Sequence, residues 1–380
     1  MNNHNIFQLI KYLLIFYFRS SARTNLQSLT IPYIQNLRGN IEIQSNPVLT
    51  NISCPYLKNA TNIVVNNNHD LQSVQFPSLI AASSFNLNNS PLLGSLFFPA
   101  RLTHVNNIEV TNTGIRNLDG VDEIAIKSLT LENNANLRQA NFPALRKVNA
   151  VNVSGNRAKT FLFLAQNLVE IGQATIRNTA SMDFAHLTKV SSNMKLEHNN
   201  FESLSIPNLE TIGGTLNIAS NNQLRSISLP KLNELGSLVI TENPHITKID
   251  GFQNLERVHK IIDITGNYSI VSFPLLKNVD GGFNSQSRSA DFDCNSLNAL
   301  REGNIVDEKK FYCQSGVYNP KPRPEFIQDI LEKEPSSNFA KTKVDDLSDD
   351  RDKSNSASIN TLANIAAKEL NASEILLCCS

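Results

Sequence analysis

The sequence predicts an all-β solenoid of the parallel β-helix type, and three observations carry that expectation. The first is a unit repeated at a fixed spacing. Ile41, Ile43, Asn46, Leu49, Pro55 and Leu57 recur 22 residues later as Ile63, Val65, Asn68, Leu71, Pro77 and Leu79. A period in the low twenties belongs to stacked-coil proteins, in which each repeat touches only its neighbours. The second is an apolar-x-apolar pair at the head of each unit, the pattern of a short strand with two side chains on one face. The third is that no amphipathic helical run lies between the strands, so the coil closes on strands alone. About eleven coils of roughly 22 residues follow one another, and at ~4.8 Å per coil they form a rod about 50 Å long.

Each part of the coil has a physical reason. The pair Ile41 and Ile43 is followed by Phe85 and Leu87, Ile108 and Val110, Leu129 and Leu131, Val151 and Val153, then Ala174 and Ile176. Met194 and Leu196, Leu216 and Ile218, Leu238 and Ile240, and Ile262 and Ile264 complete the series. Three residues after the second apolar position stands Asn46, and likewise Asn68, Asn134, Asn156, Asn199, Asn221, Asn243 and Asn267. Asn112 is read into the same place in its own coil. An Asn at a turn enters the left-handed region or bonds the turning backbone, and stacking is expected to align these residues into a ladder. Asn267 is thereby expected to be partly buried. The Pro-x-Leu element that closes the coil is a second extended segment, where Pro costs nothing because its N–H is not needed.

The chain divides into four parts. Residues 1–22 hold Lys11, the apolar run Tyr12–Phe18 and small residues before a cleavage expected after Ala22, the outline of a signal peptide. Residues 25–283 are the solenoid. Residues 284–316 read as the cap that shields the last coil's apolar end. Residues 317–380 lose apolar content, alternate Pro320, Pro322 and Pro324 with basic residues, and read as a solvated stalk.

Composition narrows the functional classes. Of 380 residues 41% are hydrophobic and 18% charged, and the formal net charge is zero, so no field directs the chain to nucleic acid. His69, His104, His186, His198, His245 and His259 fall on different coils, and no Cys pair has zinc spacing. No cofactor, metal or catalytic constellation is expected. Glu42, Glu109, Glu132 and Glu197 fall between or just after the strand apolars and are expected to face outward along one sheet, where they either meet a sugar or protein or simply keep the sheet soluble. Six Asn-x-Ser/Thr sequons occur, at Asn51, Asn59, Asn88, Asn152, Asn267 and Asn371.

The unit Gly-x-apolar-x-apolar-x-x-Asn-x-x-Leu, closed by apolar-Pro-x-Leu, resembles the leucine-rich repeat of the receptor L domain. The series of Pro-x-Leu units ending in Phe292, Cys294, Tyr312 and Cys313 resembles the fungal cell-wall-organisation and sporulation-specific glycoproteins over about residues 25–316. The resemblance implies a right-handed, L-domain-like repeat in a non-enzymatic protein. It further implies a secreted glycoprotein held at the plasma membrane or wall by a glycosylphosphatidylinositol (GPI) anchor and needed for wall or spore-wall formation. Partners would be wall polysaccharide or wall and surface proteins, with a membrane met only through a lipid anchor, and the protein would be a monomer. Cys294 and Cys313 are read as a disulfide pinning the cap, the other reading being two free thiols. Cys54 is read as a small core residue or as half of a pair with an N-terminal cap, and Cys378 and Cys379 stay open. Asn355 is the attachment candidate for an anchor, although Lys368, Glu369 and Glu374 interrupt the apolar tail it needs. Two other classes are carried alongside: a ligand-binding ectodomain or decoy, and a carbohydrate-active β-helix enzyme, which requires clustered carboxylates.

Overall fold

The computed structural model describes residues 17–20, 26–157, 159–322 and 376–378. They form a solenoid of about twelve turns built almost wholly from parallel strands. One broad sheet runs its length. Its strands include Asn40–Gln44, Asn59–Asn66, Ala81–Ser90, Asn107–Thr113, Ala125–Glu132 and Lys147–Ser154, and continue to Ile261–Gly266, Gly282–Ser287 and Phe311–Gln314. The register repeats the sequence period, with Ile41 opposite Ile63 and Ile63 opposite Phe85. A second side is made of short parallel strands in separate groups, such as Asn51–Ser53 beside Ser73–Gln75 and Gln139–Asn141 beside Leu162–Leu164.

The broad strands face the core with the apolar pair, and both members are buried in coil after coil. Most of these strands also bury a third residue earlier in the strand: Ala60 precedes Ile63 and Val65, with two outward residues between. That spacing breaks strict alternation, so the strand bends before it enters the flat part of the sheet. Between the two sides the residue before Pro-x-Leu fills the centre, often as Phe. Phe85 meets Phe76 and Phe98 edge-on at centroid distances of 6.1 and 5.2 Å, and Phe163 meets Phe142 and Phe184 at 5.9 and 5.7 Å. Cys54 occupies this slot in its own coil and is buried.

Two features differ from the sequence expectation. The solenoid runs past 283, because Gly282–Ser287 pairs with Ile261–Gly266 and Phe311–Gln314 adds a further parallel strand after the cap. The segment expected to open the stalk instead folds back on the sheet. The Val317 N–H donates to the Ser287 carbonyl, and the Gln286 side-chain amide donates to the Lys321 carbonyl at 2.7 Å. This return segment meets the outward side chains of Asn284 and Gln286, and these and the neighbouring Asp263, which accepts from Asn284, are buried although they point away from the core. The cap carries the α-helix Asn298–Glu302, whose Leu300 packs on the core. At the other end, the backbone of Tyr17–Ser20 pairs in parallel with Asn40–Gln44, and Leu376–Cys378 pairs antiparallel with it. The rest of the expected signal segment, Asn355, Asn371, Cys379 and the rest of the stalk beyond Pro322 lie outside the described residues.

Candidate functional site

The repeating polar residues do three separate jobs in the coil. The first is the buried ladder. Asn46, Asn68, Asn134, Asn156, Asn199, Asn221 and Asn243 are each 5% exposed or less. Asn221 shows the pattern: its backbone N–H donates to Asn243 Oδ1 at 2.9 Å, and its Nδ2 donates to the Leu196 carbonyl at 2.9 Å. Its own Oδ1 receives the Asn199 backbone N–H at 2.9 Å. Each amide thus satisfies backbone groups of its own and the adjoining coils that would otherwise be orphaned in the core.

The second job belongs to the residue just before the ladder. Ser45, Asn67, Asn89, Asn112, Asn133, Gly155, Asn178, His198, Ser220 and Glu242 all take φ between 53° and 62°. The left-handed corner and the ladder are therefore two neighbouring positions rather than one. Asn112 is a corner residue, and Thr113 fills the ladder slot by giving its backbone N–H and hydroxyl to Asn134 Oδ1. Thr179 does the same through its N–H to Asn199 Oδ1 at 3.1 Å. Asn267 is a second correction: it is exposed, and Tyr268 is buried in the slot instead. The Tyr268 N–H donates to Ser287 Oγ at 3.1 Å and its O–H to the Ile264 carbonyl at 3.0 Å. The third job lies at the Pro-x-Leu corner, where the x residue donates to a carbonyl one coil back. Ser78 reaches Pro55 O at 2.7 Å, Asn167 reaches Pro143 O at 2.8 Å, Asn208 reaches Ala185 O at 2.7 Å and Asn254 reaches Pro230 O at 2.7 Å. Pro leaves that carbonyl as the segment's usable backbone group, which the alternation of Pro with Ser or Asn in the sequence could have signalled.

The outward face of the broad sheet is a flat field of amides, hydroxyls and carboxylates. Glu109 and Glu132 stand on adjoining strands there, each held by a neighbouring Asn. Asn88 Nδ2 donates to Glu109 Oε1 at 3.3 Å, and Asn152 Nδ2 to Glu132 Oε1 at 2.5 Å. Partial burial raises the pKa of Glu109, the Asn88 bond opposes that, and the Glu132 charge adds to it. Glu197 is occupied differently, accepting from the guanidinium of Arg177 and from Asn217 Nδ2 at 2.8 Å. Glu42 lies on the same face near the first coil. No group of three or more His, Cys, Asp or Glu that could hold a metal ion occurs among the described residues. The six histidines named above are spread along the rod as their sequence positions imply.

The sequons fall in different settings. Asn88 and Asn152 are engaged on the sheet face as described. Asn51 and Asn59 donate to Ser28 Oγ and Asn36 Oδ1 at 3.3 and 2.5 Å along coil-to-coil rows. Asn267 lines a cleft of about 230 Å³ together with Asn222, Glu242, Pro244, Thr265, Arg288 and Pro320, where the ladder turn meets the return segment. Cys294 and Cys313 form a disulfide with an S–S length of 2.03 Å. Cys54 is a buried free thiol, and burial pushes its pKa up to about 12.

The receptor L domain family matches residues 164–254. The chain is 26% identical over 220 residues to the cell wall mannoprotein PST1 of Saccharomyces cerevisiae, covering 57% of this chain and 49% of that protein. It is 29% identical over 222 residues to a cell surface GPI-anchored protein of Arthroderma benhamiae, covering 58% and 56% of the two chains. It is 30% identical over 217 residues to sporulation-specific protein 22 of S. cerevisiae, covering 56% and 46%. The chain spans about half the length of the curated relatives it matches.

Proposed function

Starting from homology to fungal wall mannoproteins, GPI-anchored surface proteins and sporulation-specific proteins, we propose that this chain is a non-enzymatic, secreted glycoprotein of the cell surface that supports wall or spore-wall organisation. The observation that carries the reading is the division of labour in the coil. The residues that repeat are spent on core, ladder and corners, so the repeating chemistry of the unit makes a rod. What remains for contact is the broad sheet's polar face, with rows of Asn, Ser, Thr and Glu at strand spacing. Amide and hydroxyl rows of that kind suit wall polysaccharide or other wall proteins, since both offer repeated donors and acceptors. The rod would act as a stiff spacer held in the wall or at the plasma membrane, with the chain beyond Pro322 as its tether. Among the described residues no helix is long and apolar enough to cross a membrane.

Fractionation of cells of the native host tests this directly. The protein is expected in the wall or plasma-membrane fraction with mass lost on N-glycosidase treatment, and its deletion is expected to sensitise cells or spores to wall-digesting enzymes. An unmodified protein confined to the cytosol, or a deletion with unchanged wall resistance, overturns the reading. Release of sugar from wall polysaccharide by the purified protein would replace it with the enzymatic one.

A further inference from the structure

We propose that Asn267 carries an N-linked glycan whose first sugar seats in the cleft beside it and fastens the return segment Val317–Lys321 to the last coils. The ladder changes its spacing at this coil. Successive ladder positions from Asn199 to Asn243 lie 22 residues apart, but Asn243 and Tyr268 are 25 apart. The longer coil puts Tyr268, the middle residue of the Asn-Tyr-Ser sequon, into the core. There its ring meets Phe292 at a centroid distance of 5.0 Å and its hydroxyl also contacts Ser285. Burying the middle residue leaves the two that matter for modification outside. Asn267 is exposed, and the Ser269 hydroxyl makes one long contact, 3.4 Å to the Thr247 carbonyl. The side-chain amides of Asn51, Asn59, Asn88 and Asn152, by contrast, are bound into coil-to-coil rows.

The cleft fits what would be attached. Its volume of about 230 Å³ is below the roughly 300–1,000 Å³ of drug-sized pockets, so it takes one sugar ring. Its walls offer the carboxylate of Glu242, the guanidinium of Arg288 and the hydroxyl of Thr265, with Pro244 and Pro320 as apolar sides. One acidic and one basic group balance, which suits a neutral sugar bearing hydroxyls and an N-acetyl group. Pro320 belongs to the return segment, so a ring held there bridges the solenoid turn to the covering strand. The modification is a transfer from a lipid-linked diphospho-oligosaccharide. Asn267 Nδ2 bonds to the anomeric carbon, the bond from that carbon to the diphosphate oxygen breaks, the lipid diphosphate leaves, and one amide proton is lost.

The full chain produced in a yeast secretory host tests the assignment by glycopeptide mass analysis with and without prior denaturation. The Asn267 peptide is expected to be modified, and its glycan to resist peptide N-glycosidase on the native protein but not after unfolding. Ser269→Ala removes the glycan while keeping Asn267. It is expected to speed backbone hydrogen exchange at Val317 and Lys321 by about tenfold, as the local protection of a packed segment is lost. Asn267→Gln should give the same change. An unmodified Asn267 peptide overturns the proposal. So does a glycan released as readily from the native as from the unfolded protein, or unchanged exchange in both variants.

Discussion

At the residue scale the ladder decides stability. Asn221 is buried and joins three coils through four hydrogen bonds, two of them to or from main-chain N–H groups. Asn221→Leu keeps the side chain's heavy-atom count and branching but leaves the Leu196 carbonyl and the Asn199 N–H unsatisfied in the core. At roughly 1–3 kcal/mol for each orphaned group, the loss is about 2–6 kcal/mol in denaturant unfolding. A change below 0.5 kcal/mol would show that the ladder is ornament. Glu109 carries the opposite kind of prediction. Its folded pKa is raised by burial and by Glu132, so the folded state binds the proton more tightly than the unfolded one. The stability this contributes is full below the usual carboxylate pKa and is lost as pH rises through the raised value. Glu109→Gln keeps an oxygen to accept from Asn88 and removes the titration. Unfolding midpoints should therefore fall less between pH 4 and pH 7 in the variant than in the parent chain. An identical slope in both would reject the account.

At the scale of the element the sequence was most legible where one residue does one job. The apolar pairs, the Pro-x-Leu segments and seven ladder Asn could be placed by period alone, because burial on every coil forces the same residue type into the same slot. It was least legible where neighbouring positions trade roles. Asn112 and Asn267 look like ladder residues in the sequence, yet a hydroxyl at Thr113 and a ring at Tyr268 serve the backbone there instead. The glycan cleft was hidden for a related reason: it forms only where the return segment crosses the turn, a contact that no local pattern announces. The closing element itself rests on the Cys294–Cys313 bond, which ties the start of the cap to the last strand of the broad sheet. Replacing both by Ser should cost about 3 kcal/mol on a chain-entropy estimate. Because that strand pairs with Gly282–Ser287, the loss should appear first as faster hydrogen exchange in residues 282–314, before the middle coils are affected. Uniform loosening of the whole rod would contradict it.

At the scale of the molecule the question is whether the coils are interchangeable, and the geometry gives a sharp form of it. From Asn59–Asn66 to Gly282–Ser287 each broad strand pairs with the strands of the adjoining coils, so stability there should be a sum of coil terms and nearest-neighbour interfaces. Excising Asn199–Ser220 removes one period, joining His198 in its left-handed corner directly to Asn221 in the next ladder slot. Thr179, which gives its N–H to Asn199 in the intact chain, then meets Asn221 in the same position. Leu196 keeps a ladder amide after it, and Met194–Glu197 comes to pair with Glu234–Thr241 in unchanged register. The shortened protein is expected to fold cooperatively with an unchanged β signature and a rod shorter by about 4.8 Å in solution scattering. Removing only the second half of that segment, 210–220, should fail to fold. It puts apolar residues outward, because strand register cannot absorb a fraction of a coil. If the two deletions behaved alike, the rod could not be the additive stack that its hydrogen bonds describe, and a spacer role built on uniform coils would lose its physical basis.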